Sequence, residues 1–168
     1  MLCKIVQSMP TDRPIPFIQI CSREAARESD ISAYDGVITI EDTTEKNPFR
    51  VELDYPLQLV LRFDDIQIPI DQWVAADESH VLSALNFARQ WDQPSLLIHC
   101  TAGISRSPAI ALAILADFYG KGREVDSIEE LLKVAILCKP NKRIVEITDT
   151  LLVREGKLLE ELSRVLDC

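Results

Sequence analysis

Short apolar runs alternate along the chain with longer stretches whose apolar residues recur at helical spacing. Phe17–Cys21 and Ser95–His99 are compact apolar runs of strand length, Gly36–Ile40 is β-branched and apolar, and Gln58–Phe63 reads as a further strand. Ser22 predicts the N-cap of a short helix through Arg27. The stretch EDTTEKNPFR after Gly36–Ile40 predicts an exposed loop. Asp64 to Asp77 is polar and contains Pro69, which predicts a loop of functional length. Asp77 then caps a helix with Val81, Leu85, Ala88 and Trp91 on one face, ended by Pro94. Ser107–Tyr119 predicts a strongly apolar helix, with Pro108 in its first turn and Gly120 just past its end. Ser127-Ile128-Glu129-Glu130 reads as a capping box opening another helix, closed by Pro140. Asn141 caps a helix through Leu152, and Gly156 divides it from a final amphipathic one. Residues 1–16, with Pro10, Pro14 and Pro16, predict an irregular lead-in in which Lys4–Ser8 is extended.

Strands alternating with helices at this spacing predict an α/β fold. Its centre is a mostly parallel sheet of about four to five strands, flanked by helices on both faces. Ligands of such sheets bind beyond the carboxyl ends of the strands. The 168 residues contain no internal repeat and no linker, so one domain over residues 1–168 is expected. The hydrophobic share of 47% and charged share of 27% are ordinary for a globular chain. The net charge of −9 is not: it argues against binding nucleic acid or an anionic membrane, both of which need a cationic surface.

The first residues lack the apolar core of a secretion signal, and the longest apolar stretch, Ala109–Ala116, is far short of the ~20 residues of a membrane span. The five cysteines, Cys3, Cys21, Cys100, Cys138 and Cys168, are odd in number, widely spaced and without a CxxC pair. That pattern fits neither a disulfide framework nor a zinc site. With two histidines only, His80 and His99, no metal site and no other cofactor is expected. A reducing cytoplasm is the expected compartment, and a monomer the expected state.

Chemistry concentrates where the Ser95–His99 strand ends. The sequence there is His99-Cys100-Thr101-Ala102-Gly103-Ile104-Ser105-Arg106-Ser107-Pro108, and an apolar helix follows at once. A strand–loop–helix turn aims successive backbone N–H groups inward and finishes on a helix N-terminus, which makes an anion cradle. Gly103 permits the backbone that such a loop needs. Arg106, six positions after Cys100, can return across the cradle and bind two phosphate oxygens with its fork. Surroundings of this kind favour a thiolate, which attacks phosphorus without a separate base. Taken alone, Cys100 would read as a buried core cysteine, and its context is what argues otherwise.

The segment HCTAGISRS resembles the signature of the protein tyrosine phosphatase superfamily, in the form HCxAGxSRS of its dual-specificity branch. The strand and helix order over residues 17–155 is compatible with that family, and the residue-level likeness runs from Leu59 to Leu152. The resemblance implies that Cys100 is the nucleophile, forming a phosphocysteine, and that Arg106 binds the phosphoryl oxygens. Thr101, Ala102, Gly103, Ile104, Ser105 and Arg106 would line the substrate phosphate with their amides. Ser107 would stabilise the departing thiolate, and His99 would hold the loop's shape and tune the thiol without acting as the base.

The family's general acid follows an earlier strand, some tens of positions before the cysteine. Asp65, 35 positions before Cys100 and followed by the apolar Ile66, aligns with it best. Asp64 is the runner-up and Asp71 a third choice; read without the family, Asp65 and Asp64 are both solvated loop charges. Asn141, in Lys139-Pro140-Asn141, resembles an asparagine that supports the phosphate loop, although a helix cap already explains it. The aromatic residue that usually follows is replaced by Ile144.

No variable position of the cradle is basic, which argues against polyphosphorylated substrates. The expected activity is metal-independent hydrolysis of protein phosphomonoesters, phosphotyrosine and also phosphoserine or phosphothreonine. Alternatives are a phosphatase of a small phosphorylated metabolite, and a module that binds phosphorylated partners without turnover. A redox protein using Cys100, with Cys21 as its partner, is a further reading that the missing CxxC opposes.

Overall fold

A computed structural model describes residues 14–166, so the expected extended segment Lys4–Ser8 lies outside the described residues, as do Cys3 and Cys168. In chain order the elements are β1 (Phe17–Ser22), α1 (Arg23–Glu28), β2 (Gly36–Glu41), β3 (Leu57–Arg62), α2 (Glu78–Ala88), β4 (Ser95–Cys100), α3 (Arg106–Tyr119), α4 (Glu124–Val134), α5 (Lys142–Leu151) and α6 (Lys157–Leu166). A 3-10 turn over Ile31–Ala33 precedes β2. The strands form one sheet in the order β1-β4-β2-β3, with every pairing parallel. Among the described residues, the expected mostly parallel sheet therefore resolves to four strands, all parallel.

Alternation along each strand sorts the side chains to two faces. Ile18 of β1, Ile38 and Ile40 of β2, and Leu96, Ile98 and Cys100 of β4 join the larger core with α2 to α6. Val37 and Leu97 face the other way and pack with Ala26 of α1, Tyr34 and Phe49. Helices thus lie on both faces, but unequally. The first face carries α2 to α6, and the second carries α1 and the loop after β2. Residues 106–116 of α3 are all buried, because this helix lies between the sheet and its neighbouring helices. Its one-sided pattern is lost for that reason.

Several caps form where the residue types demand them. Ser22 accepts from Ala25 N, and Asn141 accepts from Ile144 N. Asp77 accepts from Ser79 N and His80 N, while His80 Nδ1 accepts from Asp77 N, which closes a reciprocal box. Helix α2 stops at Ala88, so Trp91 packs from the turn beyond it.

The expected capping box at Ser127 is not the start of a helix. Helix α4 begins at Glu124, and Ser127 is buried inside it, its hydroxyl donating to Arg123 O at 2.9 Å. A partner distant in sequence decides the start: buried Glu124 pairs with buried Arg154 at 3.3 Å and also accepts from Gly122 N. The helix ends at Val134, well before Pro140, and residues 135–141 form an irregular connection.

Candidate active site

The sheet order brings the ends of β1, β2, β3 and β4 to one edge. Cys100 closes β4, and α3 starts at Arg106, so residues 101–105 form the turn between them. Gly103 has φ +75°, in the left-handed region. A Cβ on Gly103 would lie 2.7 Å from the carbonyl carbon and oxygen of Cys21, so the loop also needs glycine for its close approach to β1. Arg23 N donates to Thr101 O at 3.3 Å, fastening the loop to α1.

The Cys100 sulfur is buried and has two groups directed at it. Gly103 N donates to Sγ at 3.2 Å, and the Ser107 hydroxyl lies 3.2 Å from Sγ. Arg106 is buried as well. Its Nη1 donates to Phe63 O at 2.8 Å and pairs with Asp42 Oδ1 at 2.9 Å, and Nη2 donates to Thr101 Oγ1 at 3.2 Å. Its Nε is buried without a hydrogen-bond partner among the described residues. A buried donor left unpaired carries a desolvation cost of about 1–3 kcal/mol, which an incoming oxyanion would remove. Nη1 is thus anchored by Phe63 O and Asp42, and Nε is the guanidinium nitrogen that has no partner among the described residues.

Asp42 is a site residue that sequence reasoning misses. It lies just after β2, in the loop that reads simply as polar, and it also accepts from Thr101 Oγ1 at 3.1 Å. The one signal that points to it is its place at the carboxyl end of a strand, which the rule for parallel sheets marks as the ligand edge.

The two adjacent carboxylates after β3 point in different directions. Asp64 is buried and accepts from Thr43 N, Thr43 Oγ1 and Val74 N. Burial raises its proton affinity, but these hydrogen bonds and the Arg106 charge outweigh it and hold the carboxyl below its ordinary range. Asp65 is exposed and turned towards the cradle. Its Oδ1 accepts from Ser105 Oγ and from Asn141 Nδ2, both at 2.8 Å. Asp71 sits exposed on the following turn, outside these contacts.

Asn141 is buried and holds several segments together. Its Nδ2 reaches Asp65 and Ile66 O, its Oδ1 caps α5, and its backbone N donates to Ser105 O at 3.0 Å. Lys139 N donates to Ile104 O at 2.8 Å beside it. Of the remaining cradle positions, Thr101 and Ala102 are exposed and Ile104 is half exposed.

His99 faces the opposite side of the sheet from Cys100. The Gln58 amide donates to Thr39 Oγ1, which also shares a hydrogen bond with His99 Nε2 at 2.9 Å. Phe49 packs edge-on against the ring at 5.1 Å. Burial, reinforced by Arg23 and Arg27, pushes the imidazole down to about 4. In the unfolded chain its pKa is about 6.5, so protons favour unfolding as pH falls below that value. The stability due to neutral His99 is full above pH ~6.5 and is lost between ~6.5 and ~4, up to about 3 kcal/mol. The Asp64 contribution is lost only below the ordinary carboxylate range, so the two windows are separate. Denaturant melts from pH 7 to 4 should show this slope, and His99→Gln should flatten it; an unchanged slope in the variant would contradict the assignment.

Cys21 also lies on the His99 side, opposite His99 in the β1–β4 register and packed against the smaller core. Burial, with Cys100 adding to it, pushes its thiol up to about 11. Two cysteines on opposite faces of a sheet are not placed as a disulfide pair.

No protein-family model matches the chain, and no curated protein matches it in sequence. Solved structures do match. Human DUSP28 superposes with a TM-score of 0.59 at 16% identity, over 86% of this chain and 96% of that one. A human tyrosine phosphatase-like serine/threonine/tyrosine-interacting protein gives 0.53 at 19%, over 82% and 84%. PTPMT1 in complex with PI(5)P gives 0.51 at 17%, over 94% and 97%. The chain therefore has the fold of the dual-specificity phosphatases. Among the described residues, no helix is long and apolar enough to cross a membrane.

Proposed function

We propose that the protein is a metal-independent phosphatase of protein phosphomonoesters, working through a phosphocysteine. The observation that carries this reading is the convergence in one loop of a buried thiol with two partners and a buried guanidinium whose Nε is unpaired among the described residues. Cys100 Sγ attacks phosphorus and the P–O bond to the substrate breaks. Asp65 gives its proton to the departing oxygen. Water then attacks phosphorus and passes its proton to the Asp65 carboxylate. The S–P bond breaks, its electron pair returns to sulfur, and the Ser107 hydroxyl donates to the thiolate as inorganic phosphate leaves. Arg106 and the loop amides balance the charge that a metal would otherwise meet. Ser105 and Asn141 position Asp65, and Asp42 and Phe63 O orient Arg106. Asp64 holds the acid loop in shape.

Hydrolysis of a series of aryl phosphates in the presence of a chelator tests this. Wild type should turn over every member with no loss from the chelator. Asp65→Asn should cut the rate on the poorest leaving group by about 10²–10⁴ while sparing the best. Asp64→Asn should leave that dependence on leaving group intact. Chelator-sensitive turnover would defeat the metal-free mechanism. Absence of turnover together with phosphate binding would favour a recognition module, and a reversed pattern for the two aspartates would exchange their roles.

A further inference from the structure

The connection between α4 and α5 exposes apolar side chains to an unusual degree: Ile136 is 77% and Leu137 89% accessible. Leu137 lies beside the cradle, sharing a hollow with Gly103 and Ile104, and the connection is tied there by Lys139 N donating to Ile104 O and Asn141 N to Ser105 O. Between this connection, the cradle and the end of β1 is a hollow of about 290 Å³. Its walls are Ile20 of β1, Gly103 and Ile104 of the cradle, and Val134, Leu137 and Cys138. Among the described residues, no charged side chain lines it. The Gly103 amide donates to Cys100 Sγ at 3.2 Å, so one residue belongs both to the hollow and to the thiol's environment.

We propose that this hollow is a specificity subsite that takes an apolar side chain adjacent to the phosphorylated residue of a protein substrate. The proposal rests on the phosphatase reading for the phosphate end of that substrate. Continuity with the cradle is the first argument. A group seated between Ile104 and Leu137 while its own molecule's phosphate lies over Cys100 must be near that phosphate in the substrate. Chemistry is the second: an apolar lining with no ion to satisfy gains by covering apolar surface and loses by burying a charge. Rigidity is the third, because the two backbone hydrogen bonds fix the hollow's outer wall to the cradle before anything binds. A lipid tail is the poorer occupant. The hollow is small, no described basic side chain lines it to meet a headgroup, and the net charge of −9 opposes an anionic bilayer.

The test uses Cys100→Ser, so that binding is read without turnover. It is titrated with inorganic phosphate and with phosphotyrosine peptides differing only in the residue on either side of the phosphotyrosine, leucine or aspartate. The leucine peptide at one of the two positions should bind about tenfold more tightly, a discrimination within the range of a small apolar pocket. Adding Leu137→Asp should remove that preference and leave the affinity for inorganic phosphate unchanged. Equal affinities in the parent, or a preference that survives Leu137→Asp, overturns the subsite alone. If inorganic phosphate fails to bind wild type as well as Cys100→Ser, the cradle reading falls and takes this one with it. Co-sedimentation with phosphatidylcholine vesicles carrying phosphatidic acid, lost in Leu137→Asp, would give the hollow to a lipid and overturn the peptide assignment.

Discussion

Cys100→Ser will abolish hydrolysis of aryl phosphates, by at least ~10⁴-fold, while inorganic phosphate still binds. A loss on that scale accompanies removal of a nucleophile from a unit that acts together. Serine fits the same place, with Gly103 N and the Ser107 hydroxyl around it. The hydroxyl nevertheless needs a base to become a nucleophile, and none of the described residues aims one at it. His99, adjacent in sequence, faces the other side of the sheet, and its Nε2 is engaged with Thr39. Asp65 is directed to Ser105 and Asn141. Arg106 and the loop amides are untouched by the change, so anion binding should persist. Turnover surviving in the variant would place the nucleophile elsewhere. Loss of phosphate binding along with turnover would show that sulfur also holds the loop's shape.

Arg106→Lys will lower kcat/KM for an aryl phosphate by about 10²–10³-fold or more, the loss expected when an oxyanion donor is removed. Unlike Cys100→Ser, it will also weaken binding of inorganic phosphate. The guanidinium does two tasks at once. Nη1 is held by Phe63 O and Asp42, while Nε has no partner among the described residues and on the proposed function would meet the phosphate. Lysine offers a single ammonium and cannot keep both directions. If it reaches Asp42 it abandons the cradle, and if it reaches phosphate it leaves the buried Phe63 carbonyl without that donor. A drop of about 1–3 kcal/mol in folding stability should accompany the second case. Phosphate affinity equal to wild type, measured by titration calorimetry, would show that the amides alone suffice to bind the anion.

Local chemistry makes much of this structure legible. Ser22, Asp77 and Asn141 are residue types whose side chains satisfy the first amides of a helix, and each sits where a helix starts. The apolar runs mark the strands within a residue or two, and the glycine, cysteine and arginine of the cradle are fixed by their spacing. What stays hidden depends on partners far away in sequence. Glu124 starts α4 three residues ahead of the apparent box because Arg154 waits for it. Asp42 resembles its neighbours in an acidic loop until Arg106 is folded against it. Asp64 and Asp65 are indistinguishable in a string of letters, and one turns into Thr43 and Val74 while the other turns out to Ser105. Cys21 is set opposite His99 by strand register, which a sequence does not display, and a slip of one residue would have turned it to the other face.

The strand order has a consequence for how the molecule comes to be made. Among the described residues, strand β1 pairs only with β4, whose residues emerge some eighty positions later, and β2 is joined to β4 across α2. Closing such large loops before any pairing rewards them slows folding. The cradle draws on the end of β1, on Asp42, on Phe63, and on Lys139 and Asn141 as well as its own loop. A chain still leaving the ribosome therefore has no complete cradle until Asn141 is out. On the proposed function, a half-made or nicked molecule should be inert rather than promiscuous, because Cys100 acquires its surroundings only together with the completed sheet.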